Sequence, residues 1–99
     1  MTQRVPKFSP TFRASLEKAK IAAGSLERTA IGRLIGALAT APELPGEDEV
    51  VPIPLTTYGY AHARRLPGRH VWVYYRLYHH DGAEHLVLIA VTRKTPKSI

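Results

Sequence analysis

Histidine, arginine and aromatic side chains interleave in YGYAHARRLPGRHVWVYYRLYHHDG, residues 58–82. This stretch holds six of the eight aromatic residues, four of the fourteen arginines and lysines, and four of the five histidines. Each type has a use on a polyanion. A cationic side chain holds phosphate charge, a flat ring stacks on an unpaired base, and an imidazole moves protons near neutral pH. RNA also brings its own nucleophile, the 2′-hydroxyl beside the scissile phosphate, so a ribonuclease needs neither a serine nor a metal. It must align the attack, stabilise the phosphorane with cations and move two protons. Arg64, Arg65 and Arg69, with Arg93 and Lys94 further on, are the candidates for charge. His62 and His70 border the arginines and are the candidates for proton transfer, although a histidine in a strand serves equally as a bystander.

Other chemistries find less support. His79, His80 and His85 flank an Asp-Gly turn, but adjacent histidines in a strand diverge and the chain has no cysteine. The expectation is therefore no metal site and no cofactor. Neither a glycine-rich phosphate loop nor an H-E-x-x-H motif is present.

Strand geometry divides Val71 to Tyr78 into two faces. Val71, Val73, Tyr75 and Leu77 form an apolar face suited to a core, while Trp72, Tyr74, Arg76 and Tyr78 share the other. The second face suits stacking on unpaired bases; cross-strand aromatic pairing or a protein-docking surface is the alternative. Arg64 and Arg65 point to opposite faces, so only one of them can share the aromatic side.

The elements that must position these residues are legible in outline. RVPKFS reads as a short edge strand, because Pro6 cannot donate to a ladder. SPTFRASLEKAKIAAG predicts a helix capped by Ser9 and stopped at Gly24, with Phe12, Leu16, Ala19 and Ala23 on its apolar stripe. SLERTAIGRLIGALATAP predicts a second helix from Ser25 to before Pro42, burying Ile31, Leu34, Ile35 and Leu38. Gly32 and Gly36, four apart, point to close packing, and the tight Gly24–Ser25 link predicts a helical hairpin. PELPGEDEVVPIPLTT is a loop, with a short extended piece at Val50–Leu55. YAHARRL, HVWVYYRLYH and HLVLIAVTRK then read as an antiparallel meander, turned at PG and at DG, whose apolar last strand is central and covered on both faces. The fold class expected is α+β: one domain over residues 1–99, with an N-terminal helical hairpin packed on a small, mainly antiparallel sheet that the N-terminal strand can join.

Charge narrows the partners. The formal net charge is +6, spread as +4 over residues 1–45, −3 over 46–60 and +5 over 61–99. RNA, DNA or an acidic protein is the favoured partner. No apolar run approaches the ~20 residues of a membrane helix, and MTQRVPKFSP lacks the apolar region of a secretory signal, so a cytoplasmic location without membrane contact is expected.

With those elements in order, KFSPTFRASLEK at the start and ARRLPGRHVWVYYRLYHHDGAEHLVLIAVTRK at the end resemble the RelE/ParE superfamily of bacterial type II toxins. The resemblance spans roughly residues 3 to 95. It implies a RelE-like fold, a cognate antitoxin as partner, and one of two activities. RelE-like members cleave mRNA, usually on the ribosome, and so inhibit translation; ParE-like members inhibit DNA gyrase without being enzymes on nucleic acid. Carried onto this sequence, it points to Arg65 or Arg64 before the PG turn, to Arg93 at the end of the last strand, and to Lys94 beside it. Two departures stand out. RKTPKSI offers no counterpart of the C-terminal tyrosine or histidine used by several ribonuclease members, and GEDEVVPIPLTT lacks the lysines that some place before the second strand. A third reading, a catalytically silent nucleic-acid or protein-binding module, stays open beside these two.

Overall fold

The structure is a computed structural model and describes residues 3–44, 46, 49 and 61–96. The extended piece expected at Val50–Leu55, with Tyr58 and Tyr60, lies outside them. In chain order the elements are β1 (Val5–Phe8), α1 (Pro10–Lys18), α2 (Leu26–Thr40), β2 (His62–Arg65), β3 (Trp72–His80) and β4 (Ala83–Thr92). The architecture is α+β, with two helices and one four-stranded sheet in the order β1-β4-β3-β2. A strand, rather than the helical pair, comes first. It runs parallel to β4, while β2–β3 and β3–β4 are antiparallel, so the sheet is mixed. Pro6 sits in an edge strand, where its missing N–H costs no ladder bond. None of the described helices is long and apolar enough to cross a membrane.

Phe12 and Leu16 of α1 and Ile31, Leu34, Ile35 and Leu38 of α2 share one core with Val71, which precedes β3, and with Val73, Tyr75, Leu86, Leu88 and Val91 from the sheet. The spacing of the last three shows a device hidden from the sequence. Leu86 and Leu88 keep the strand period, but the next core residue is Val91. A β-bulge explains it: Tyr74 pairs with Ala90 and Tyr75 with Leu88, leaving Ile89 unpaired. The Ile89 carbonyl, freed from the ladder, accepts from the hydroxyls of Ser9 and Thr11, each at 2.8 Å. Ser15 completes the seam, accepting from the Val91 N–H at 2.9 Å and donating to the Phe12 carbonyl. Ser9 thus stands at the helix start as expected, but its hydroxyl joins α1 to the bulge instead of capping the helix. The central place of β4 is also as expected; its second face is only half covered, since Val87 and Ala90 keep partial exposure.

The first helix stops earlier than its stripe suggests, because α1 closes at Lys18 and Ala23 is exposed beyond it. Lys20 takes a left-handed conformation at φ +59. Its N–H reaches the Glu17 carbonyl and the Ile21 N–H the Leu16 carbonyl, both at 3.0 Å. These two bonds form a Schellman motif, with buried Ile21 folding against buried Leu16. A stretch from Ala19 to Ser25 therefore links the helices, in place of the tight Gly24–Ser25 hinge. α2 begins as expected, with the Ser25 hydroxyl accepting from the Arg28 N–H at 3.1 Å. Gly32 and Gly36 overturn their reading: both are exposed, and a Cβ added to either meets nothing within 4 Å. No close approach requires them.

At its C-terminus α2 is held by Arg4, the buried cation among the described residues. The guanidinium donates to the carbonyls of Leu38 and Ala41 and pairs with Glu84 of β4. One side chain thereby ties the start of β1, the end of α2 and the start of β4 together.

Candidate nucleic-acid interface

Strand register decides which candidates meet. Arg65 lies opposite Trp72, and Trp72 lies opposite Thr92. The end of β2, the start of β3 and the end of β4 therefore form one rim of the sheet, and Arg93 and Lys94 emerge from it. The β2–β3 turn adds to the same rim. Arg69 N–H bonds back to the Leu66 carbonyl at 3.2 Å, with Pro67 second and Gly68 third at φ +70, the residues a type II turn favours. Arg69 and His70 follow at once, both exposed.

Register also resolves the paired arginines. Arg65 shares the face of Trp72 and Tyr74, its guanidinium carbon 5.6 Å from the Trp72 ring centroid and its Nε donating to the Arg69 carbonyl at 2.8 Å. His70 meets the edge of the same indole, the centroids 4.5 Å apart at 86°. Trp72 is consequently only 7% exposed. It is the platform on which Arg65 is held, and a base could stack on it only by displacing Arg65 or His70. Tyr74 is half-buried, and that burial pushes its hydroxyl above the ordinary 10.0. Arg76 is half-buried further along the same face. The exposed ring on β3 is Tyr78, roughly 20 Å along the strand from Trp72 at the usual rise per residue.

Arg64 and His62 belong to the opposite face. Arg64 pairs with the buried Glu49 carboxylate, its Nε donating across 2.6 Å. His62 lies opposite Tyr75 with the rings 5.6 Å apart. Tyr75 is fully buried, and its hydroxyl is held well above the ordinary range, first by desolvation and then by the Glu49 charge. His62 and Arg64 thus sit in a half-buried polar group on the other face of the sheet, while His70 is the candidate histidine on the rim.

Arg93 meets the rim through an acid that sequence reasoning missed. Its Nε donates to the Ala19 carbonyl at 2.8 Å, and its two terminal nitrogens donate to the Glu27 carboxylate at 2.8 and 2.7 Å. Arg69 approaches the same carboxylate at 4.0 Å. Arg93 holds Glu27 below the usual carboxylate range, chiefly by these hydrogen bonds, and its own charge is secured in return. Three of its five N–H donors are used, which leaves two to face a ligand. Glu27 stands in the first turn of α2, where the helix dipole favours an acid. That placement was visible in the sequence; its pairing with a residue 66 positions away was not.

Two further cations join from α1. Lys18 closes the helix and Lys20 follows it, and both line a groove with Arg93 and Lys94. The sequence showed them only as polar residues outside an apolar stripe. Six cations, Lys18, Lys20, Arg65, Arg69, Arg93 and Lys94, therefore gather at one rim, with Trp72 and His70 among them. Such a rim can bind phosphates, and its exposed imidazole can exchange protons. Comparison with family models, with curated proteins and with solved structures finds no match to the chain.

Proposed function

We propose that this chain is a RelE/ParE-like toxin domain that binds RNA along the basic rim of its sheet and cleaves mRNA without a metal, so inhibiting translation. The observation that carries the reading is the convergence of Arg65, Arg69 and Arg93 through one network of contacts: Arg65 to the Arg69 carbonyl, and Arg69 and Arg93 to Glu27. The motifs quoted above supply the family resemblance, and the element order strand, two helices, three strands agrees with it.

In this reading Arg65, Arg93 and Lys94 hold the scissile phosphate and the charge that grows on it. The 2′-hydroxyl loses its proton and attacks the adjacent phosphorus in line. The bond to the 5′-oxygen breaks, that oxygen takes up a proton, and a 2′,3′-cyclic phosphate and a 5′-hydroxyl remain. His70, exposed on the rim, is the proton carrier of choice, and His62 is the weaker one because it lies behind the sheet. Arg69, Arg64, Tyr74 and Arg76 would contribute to RNA binding, with Arg64 first having to leave Glu49. The partners are mRNA, free or on the ribosome, and an acidic antitoxin that neutralises the rim.

A second reading, the non-enzymatic gyrase inhibitor, is favoured by one observation. Trp72 is covered by Arg65 and His70, and Arg93 is clasped by Glu27, so two elements proposed for cleavage are engaged in structural contacts. Inducing the chain in cells and following protein synthesis, mRNA integrity and DNA supercoiling separates the two. Cut mRNA with arrested translation, relieved by Arg65→Ala, supports cleavage. Intact mRNA with blocked supercoiling supports the gyrase reading instead.

A further inference from the structure

Between the end of α1 and the end of β4 opens a groove of about 670 Å³, walled by Lys18 and Lys20 on one side and Arg93 and Lys94 on the other. Arg93 is engaged with Glu27, but Lys18, Lys20 and Lys94 have no carboxylate within ion-pair distance among the described residues. A lysine at the last turn of a helix has an ordinary explanation, the helix dipole, and Lys18 needs no other. Lys20 does. It occupies the left-handed position that closes the Schellman motif, where a side chain is disfavoured relative to glycine. The chain places a glycine in the same conformation at Gly24, φ +81. At residue 20 it keeps a strained lysine and sets an ammonium group at the groove.

We propose that this groove holds the sugar-phosphate backbone of single-stranded RNA, with Lys18, Lys20 and Lys94 as phosphate contacts and Arg93 beside them. The inference rests on the RNA-binding reading above and extends the bound strand past the rim onto α1. A protein ligand would want an apolar or aromatic anchor, whereas the apolar residues lining the groove are Ala19 and the almost fully buried Val91. A phosphodiester backbone asks only for spaced cations.

The test is the affinity of the full chain for a labelled 2′-O-methyl RNA oligonucleotide, which binds but lacks the attacking hydroxyl, measured over a range of salt concentrations. The variant is Lys18→Ala with Lys20→Gly, in which the glycine relieves backbone strain, so that lost binding is not lost folding. Its control, Lys7→Ala with Arg33→Ala, removes two exposed cations that do not line the groove. The groove variant should bind about tenfold more weakly, and its log–log salt slope should fall by about 1.4, at about 0.7 per single-strand phosphate contact. The control should keep the wild-type slope. An unchanged slope in the groove variant, or an equal loss in the control, overturns the proposal even if the wild-type chain still binds and cuts RNA. If the slope falls as expected but an unmodified RNA is never cut, the groove stands and the cleavage reading falls. Capture of poly-glutamate with no affinity for the oligonucleotide overturns the groove as an RNA site.

Discussion

The two ends of the sheet carry similar side chains and use them differently. At the rim where β2 meets β3, six cations gather, and the carboxylate paired with them among the described residues is Glu27. At the opposite end, around the β3–β4 turn, basic side chains lie against acids. His79 lies 3.3 Å from Glu84, His80 lies 3.2 Å from Asp81, and buried Arg4 also pairs with Glu84. Tyr78 stacks over His80, 5.9 Å between ring centroids. One end has cations in excess and can take a polyanion; the other satisfies itself. Three of the five histidines, His79, His80 and His85, lie toward the second end, whereas strand register places the usable charge at the first.

Removing Arg4 should give the largest effect. Arg4→Met would take the guanidinium away from Glu84 and from the last carbonyls of α2, and should lower unfolding free energy by about 3 kcal/mol while RNA affinity at the other end is unchanged. Denaturant unfolding and RNA titration on the same preparation check both halves. A loss of RNA affinity with intact folding would erase the distinction between the ends. Arg65→Ala should invert the pattern. RNA affinity and cleavage should fall about tenfold or more, yet stability should drop by less than about 1 kcal/mol, the scale of an exposed cation–π contact. Lost stability of several kcal/mol would make Arg65 a structural residue.

Acid sharpens the comparison further. The Glu27 carboxyl is held below its ordinary 4.5, so its contribution to stability is present above that value and is lost as pH falls through the lower, folded-state value. Wild type should therefore lose stability below about pH 4.5 more steeply than Glu27→Gln, which unfolding curves between pH 3 and 6 would show. Equal slopes would mean that the clasp on Arg93 contributes nothing. The smallest effect should come from His79→Gln with His80→Gln. Both side chains are exposed, so stability should move by no more than about 0.5 kcal/mol and RNA affinity by less than twofold. A large loss of cleavage in that variant would place the chemistry at the histidine-rich end instead.

Much of the scaffold was legible because its signals are local. Alternation in β3, the Asp81–Gly82 turn with both residues at positive φ, and the Ser25 cap each depend on a few neighbouring residues. What escaped depends on distant partners or on a choice between equivalent signals. Gly24 was the natural helix stop, yet the chain closes α1 with Lys20, because burying Ile21 against Leu16 fixes the cap four residues sooner. The bulge at Ile89 leaves no mark in a uniformly apolar strand, since its cause is the set of hydroxyls on α1 that take up the freed carbonyl. At the rim the sequence named Arg65, Arg69, Trp72, Arg93 and Lys94, and the structure brings them together. It could not show that Trp72 is covered, because that depends on how the β2–β3 turn folds Arg65 and His70 back onto the ring. Nor could it show that Arg64 turns away to Glu49 or that Glu27 holds Arg93, which join residues 15 and 66 positions apart.

RNA binding and cleavage at the basic rim is the activity proposed for this chain. It is tested most directly by incubating a defined mRNA with the purified chain, in a translation mixture and alone, with a control at excess chelator in the reaction without ribosomes. The account predicts fragments ending in 2′,3′-cyclic phosphate and beginning with 5′-hydroxyl, and their disappearance with Arg65→Ala. Where cutting occurs without ribosomes, it should survive the chelator. An mRNA left intact by the wild-type chain under both conditions would contradict it.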